Sequence, residues 1–145
     1  MDRNIYDKKS SSCNCLNIRR SSQAITEVYD KFLAPSELKI GQFSLLKHIE
    51  KLGPVSVSDL ALSIRLDRTT LVRNLKPLEE RDFVMDIAIE GTRNRQLKLT
   101  DKGIHAYKKG EQLWVKAQSF FEEYLGKDNI DIFTTLLSKI EALVP

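Results

Sequence analysis

Apolar residues recur at helical spacing through most of this chain, and only one stretch changes period. Leu16 to Leu33 reads as a helix with Ile18, Ser22, Ile25, Val28, Tyr29 and Phe32 on one side. Ala34-Pro35 stops it, because a residue before proline avoids the helical region. Ile40 to Leu52 reads as a second helix, with Phe43, Leu46 and Ile49 inward and Gly53-Pro54 at its end. Ser56 can cap a third, with Asp59 three residues on and Val55 stapling to Leu60. Arg65 and Leu66 form a tight connection, and Asp67 caps a fourth helix whose Leu71, Leu75 and Leu78 share one face. The period then changes. Phe83 to Ile89 is rich in strand formers, Gln96 to Thr100 alternates cleanly, and the polar turn Glu90 to Arg95 joins them. Thr100 caps a long helix to about Leu125, carrying Ile104, Tyr107, Trp114, Ala117, Phe121 and Tyr124, widened by Leu113 and Phe120. Gly126 ends it, and a last helix from Asp128 shows Ile130, Phe133, Leu137, Ile140 and Val144, with Ile132, Leu136 and Leu143 beside them.

The middle of this series has the layout of a helix-turn-helix followed by a wing. On the fourth helix Thr69, Thr70, Arg73 and Lys76 point away from the leucines. Such residues suit base reading: arginine can fork onto guanine, asparagine onto adenine, and threonine can meet a hydrogen-bond acceptor or a thymine methyl. An ordinary solvated helix face would look similar, but the hairpin tip adds Arg93 and Arg95, able to reach phosphates or a narrow minor groove. Pro77, inside the fourth helix, removes one backbone bond and predicts a bend or loosening after Arg73.

The run Asp67-Arg68-Thr69-Thr70-Leu71-Val72-Arg73-Asn74-Leu75-Lys76-Pro77-Leu78-Glu79, continued by Arg95, Leu99-Thr100 and Gly103, resembles the MarR (multiple-antibiotic-resistance regulator) family of winged-helix transcription factors. The resemblance extends over nearly the whole chain from about Cys15, most specifically from Asp59 to Gly103. It implies a mainly α winged helix-turn-helix with a small β-hairpin wing, and N- and C-terminal helices that interlock in a homodimer. Residues 1–145 then form a single domain, with dimerisation helices at about 16–34 and 101–145 and a DNA-binding core at about 40–100. The DNA-binding candidates are Arg65, Arg68, Thr69, Thr70, Arg73, Asn74, Lys76, Arg93 and Arg95. The wing departs from the family in one respect. An acidic residue usually stands two positions before the wing arginine, and here Arg93 stands there, so the usual acid–arginine pair is expected to be lost.

Composition narrows the picture. The 145 residues suit one domain with a real core, and the net charge of +3 does not by itself demand nucleic acid. Distribution matters more. Arg65, Arg68, Arg73, Lys76, Arg93, Arg95 and Lys98 crowd the motif, while Glu122-Glu123 and Asp128 to Asp131 lie elsewhere. No apolar run reaches transmembrane length and the N-terminus is polar, so a cytoplasmic protein with no membrane partner is expected. No phosphate loop, nucleophile elbow or metalloprotease motif occurs. His48 and His105 stand isolated, and neither an enzyme nor a cofactor is expected.

Cys13-Asn14-Cys15 admits three readings. The thiols can be idle. They can contribute to a metal site, although a lone pair lacks the further ligands zinc wants. They can sense oxidants, because the resembled family includes organic-hydroperoxide regulators with a reactive cysteine near the start of the first helix and a tyrosine fourteen residues later that contacts it. Cys15 and Tyr29 have that spacing; a second family tyrosine, four after the cysteine, is Arg19 here. The family also binds small aromatic ligands between the dimer helices and the winged motif, and Tyr29, Phe32 and Phe43 are candidates for such a pocket. The expected function is a homodimeric repressor on a pseudo-palindromic operator in double-stranded DNA, released by a small aromatic ligand or by a peroxide. The alternative is a winged-helix protein-interaction module that binds no DNA, and a weaker one is a cysteine-dependent peroxidase or hydrolase.

Overall fold

The computed structural model of the chain describes residues 8–91 and 94–145. Six helices and one hairpin follow in order: α1 (Asn14–Leu33), α2 (Ile40–Leu52), α3 (Val57–Ile64), α4 (Arg68–Glu80), β1 (Val84–Asp86), β2 (Leu97–Leu99), α5 (Asp101–Leu125) and α6 (Lys127–Glu141). No described helix is long and apolar enough to cross a membrane.

Local chemistry sets the boundaries. α1 begins two residues earlier than its apolar pattern shows, because Ser11 and Asn17 exchange two hydrogen bonds across its first turn. Past Leu33 the chain makes one 3-10 turn, Ala34–Ser36, before α2. The Asp30 carboxylate of α1 accepts the Ile40 N–H at 2.8 Å, which ties the start of α2 to α1. Ser56 and Asp67 cap α3 and α4 by accepting the N–H groups of Asp59 and Thr70. Arg65 closes α3 in a left-handed conformation (φ 59°) while the Leu66 N–H returns to the Ala61 carbonyl, a Schellman turn built without glycine. Pro77 does not end α4, which continues to Glu80.

The core lies between α2, α3, α4 and the hairpin, with α5 laid across it. Leu33, Leu46, Leu60, Leu71, Leu75, Leu78 and Leu97 are fully buried. The hairpin pairs Val84 with Leu99 and Asp86 with Leu97 in antiparallel register, shorter than the alternating pattern suggests. Val55, just before α3, adds a bridge to Leu97 through two backbone hydrogen bonds of 3.0 and 2.8 Å. Phe43 stacks on Tyr107 and Trp114 with ring centroids 5.8 and 6.0 Å apart, which locks α2 to α5.

Gly103 marks the closest approach. A Cβ there would lie 2.0 Å from the Phe83 carbonyl oxygen, so no side chain fits where α5 crosses the foot of the hairpin. Gly41 is the contrast, since a Cβ there meets nothing within 4 Å. Gly103→Ala is expected to destabilise the fold by at least roughly 1–3 kcal/mol through overpacking. Gly41→Ala should be neutral or stabilising by about 0.4–1 kcal/mol. Urea unfolding at matched protein concentration checks both, and equal midpoints for the two variants would contradict the packing described.

Candidate nucleic-acid interface

α4 offers an outward face because its other face is committed. Leu71, Leu75 and Leu78 are wholly buried, so at 3.6 residues per turn the opposite face must look outward. Arg68, Thr69, Arg73, Asn74 and Lys76 are exposed there or on its flanks, as the sequence pattern expects. Thr70 behaves differently. It is half-buried, and its hydroxyl donates to the Asp67 carboxylate at 2.6 Å, so it belongs to the cap and not to the outward set. That bond, with the Thr70 backbone N–H beside it, holds the Asp67 carboxyl below its usual range. A carboxylate kept ionised at the N-terminus of α4 complements the helix dipole.

Arg65 stands at the turn of the motif, and its guanidinium donates to Glu141 at the end of α6. It is therefore partly neutralised, although its surface position leaves it free to exchange partners.

The wing is held by charge. The Asp86 carboxylate accepts the backbone N–H groups of Ala88 and Gln96, each at 2.9 Å, and so ties the two arms of the hairpin together. Its second oxygen accepts Arg95 Nε at 3.3 Å, while Arg95 Nη2 donates to Glu79 near the end of α4. The usual partner two positions upstream is absent, since Arg93 stands there, and two other acids hold Arg95 instead, one from β1 and one from α4. Arg95 serves the base of the wing in this arrangement, and its guanidinium is not free at the tip. Asp86 and Glu79 carry this geometry and were missed by the sequence reading. A carboxylate at the end of the first hairpin strand, facing an arginine on the return, was the available signal. Arg93 lies outside the described residues. Lys98 is exposed on the outer face of β2, opposite Met85.

The candidates away from the motif separate further. Phe43 is a core residue in this chain, buried between Tyr107 and Trp114, so it does not line an open pocket. Tyr29 is buried on the α1–α5 seam and donates its hydroxyl to Gln118; burial first, and then Glu122, push its phenol above the ordinary value. Phe32 packs on Phe120 with ring centroids 5.5 Å apart. An open cleft runs between Lys8–Ser10 and α1, lined by Asn17, Arg20 and Glu27, and none of the three aromatic candidates borders it. Cys13 stands at the N-cap position of α1 with no side-chain cap bond and Cys15 sits in its first turn, both exposed and unbonded to each other. Cys15 and Tyr29 lie ~21 Å apart along one helix, so they can meet only between two chains. No group of three or more potential metal ligands gathers among the described residues. His48 hydrogen-bonds the Ser44 carbonyl one turn back, and His105 is on the surface.

Comparison with known proteins places this geometry in context. Residues 38–88 match the MarR family. The uncharacterized HTH-type transcriptional regulator YwoH of Bacillus subtilis is 30% identical over 108 residues, 74% of this chain and 77% of that protein. The HTH-type transcriptional regulator SarZ of Staphylococcus haemolyticus is 28% identical over 102 residues, 70% of this chain and 69% of its own. The crystal structure of the M. tuberculosis transcriptional regulator MosR in complex with DNA superposes with a TM-score of 0.77 at 31% identity. It covers 92% of this chain and all of that one.

The hub at Asp86 makes a direct prediction. Asp86→Ala should cost only about 0.5–1.5 kcal/mol of global stability, since its hydrogen bonds are exposed. The amides of Ala88 and Gln96 should nonetheless exchange with solvent markedly faster. Asp86→Asn, which keeps an accepting oxygen, should protect them nearly as well as the parent. Native-state hydrogen exchange checks this, and unchanged protection in Asp86→Ala would remove the hub.

Proposed function

The chain belongs to the MarR family of helix-turn-helix transcriptional regulators, a DNA-binding family and not one of enzymes, and on that premise we propose that it is a homodimeric repressor. In this reading it holds a pseudo-palindromic operator and lets go when a small ligand binds or Cys15 is oxidised.

The observation that carries the dimer is α6. No residue of Lys127–Glu141 is buried, yet Ile132, Leu136, Leu137 and Ile140 stand 42–61% exposed, and Leu143 and Val144 just past its end are more exposed still. A stripe of this extent marks an interaction surface. A second copy of the chain supplies a matching stripe by two-fold symmetry. Phe120 and Tyr124 add exposed apolar area on α5, which packs with α6 through Phe121 and Phe133. Two motifs related by a two-fold axis ask for half-sites about one helical turn apart. Arg68, Thr69, Arg73, Asn74 and Lys76 then meet base edges and groove walls, with Arg65, Arg93 and Lys98 on the phosphates and Arg95 setting the wing. The basic outward face favours this over a protein-interaction module, whose docking face need not be cationic.

Oxidation is one route of release. Both thiols are exposed at the start of α1, the helix bearing the α1–α5 seam, so oxidant reaches them without unfolding. In the proposed dimer α1 packs in the seam beside α6, so a sulfenic acid or mixed disulfide there adds bulk and polarity to that seam and changes the spacing of the two reading helices. The aromatic-ligand reading keeps Tyr29 and Phe32, on the seam, and loses Phe43.

Two outcomes test this. Sedimentation with an operator duplex should give two chains per duplex. Leu136→Asp should yield a folded monomer that binds at least tenfold more weakly; a parent monomer saturating one half-site would end the dimer reading. Organic hydroperoxide should abolish operator binding by the parent and not by Cys15→Ser. If both respond alike, or neither does, a non-covalent effector replaces the cysteine.

A further inference from the structure

One apolar side chain on the flank of the outward face of α4 lies outside the core cluster. Val72 is the fifth residue of α4 and is 44% exposed, while Leu71, Leu75 and Leu78 fill the core-facing stripe. Its neighbours one turn away and next in line are Arg68, Thr69, Arg73 and Lys76, all exposed. Single exposed apolar residues are ordinary on protein surfaces, and Leu62 on α3 is one, 78% exposed beside Ser58, Asp59 and Ser63. Val72 differs in its setting, because three cations and a threonine frame it on the helix face that the groove receives. A valine is also a poor choice for a solvated helix position, since it loses rotamer freedom there.

We infer that Val72 is a specificity-determining residue that takes the C5-methyl group of a thymine in each half-site; the inference rests on the operator-binding reading above. The major groove presents hydrogen-bonding edges on every base pair and one apolar feature, the thymine methyl. Arg68, Arg73 and Lys76 anchor the helix to phosphates or purine edges on either side of Val72. The valine is then held over the groove floor, where it hydrogen-bonds nothing. A helical valine keeps essentially one rotamer, so its two methyl groups occupy fixed positions and read one base step. Cytosine or a purine at that step leaves the valine against polar edges that it desolvates without pairing, which is a penalty as well as a lost contact.

The test uses the full-length chain to enrich a duplex from a random-sequence library. That duplex is then resynthesised with deoxyuridine in place of each thymine in turn, which removes the methyl and keeps the O4 acceptor. One position in each half-site should weaken binding about fourfold, the worth of one buried methyl-sized group. Val72→Ala, which removes the contact from both half-sites of the dimer at once, should bind the parent duplex roughly sixteenfold more weakly, be insensitive to deoxyuridine at that position, and keep or slightly raise the parent's unfolding midpoint. Indifference of the parent to every replacement overturns the inference, as does undiminished sensitivity in Val72→Ala. Failure to enrich any sequence overturns the operator reading and this inference with it, and is told apart because no duplex then exists to substitute.

Discussion

The rotation of α4 about its own axis decides what this protein can present to a groove, and three leucines set that rotation. Leu71, Leu75 and Leu78 are fully buried against α2, α3 and the hairpin. Turning the helix by one residue would bring Lys76 and Glu79, or Asn74, into that core, where an unpaired charge or amide is strongly penalised. The polar face follows from the apolar one. The Asp67 cap completes the arrangement by fixing where the helix begins, and it draws Thr70 inward to do so.

The wing is oriented by a different force. Its strands are three residues each, too short to hold a direction by their ladder alone. Asp86 gathers two backbone amides and Arg95, and Arg95 reaches on to Glu79. Exposed ion pairs contribute little to stability one at a time. Their value here is directional, because Glu79 belongs to α4 and ties the wing to the helix whose face it flanks.

The same region is stitched to the long helix. The Thr100 hydroxyl accepts the Gly103 N–H and donates to the Asp82 carbonyl, and the Thr100 N–H meets the Phe83 carbonyl. Gly103 lets α5 lie directly on that backbone. α5 then runs back through Ala117 and the Phe32–Phe120 contact to α1, and through Phe121 to α6. α5 thus touches α1, α6 and the foot of the wing. Arg65 and Glu141 add a surface link between the turn of the motif and the end of α6.

Much of what acts within one helical turn was legible in the residues alone, although the turn of Thr70 inward to the Asp67 cap was not. The caps at Ser56, Asp67 and Thr100, the leucine stripe of α4, the extent of α2 and α5, and the surplus apolar stripe of α6 all depend on neighbours no more than a few positions away. Helical and strand periods report such neighbours directly. Tertiary structure decided what depends on distant partners. Arg95 found its acids at Glu79 and Asp86 rather than two positions upstream, Phe43 went between Tyr107 and Trp114, Val55 bridged Leu97, and Gly103 met Phe83. Each joins residues whose approach is set by how helices and hairpin pack, and a one-dimensional pattern carries no record of that packing. Val72 shows the limit from the other side. The period puts it on the flank of the buried stripe, and only the packed core, already filled by three leucines, leaves it outside.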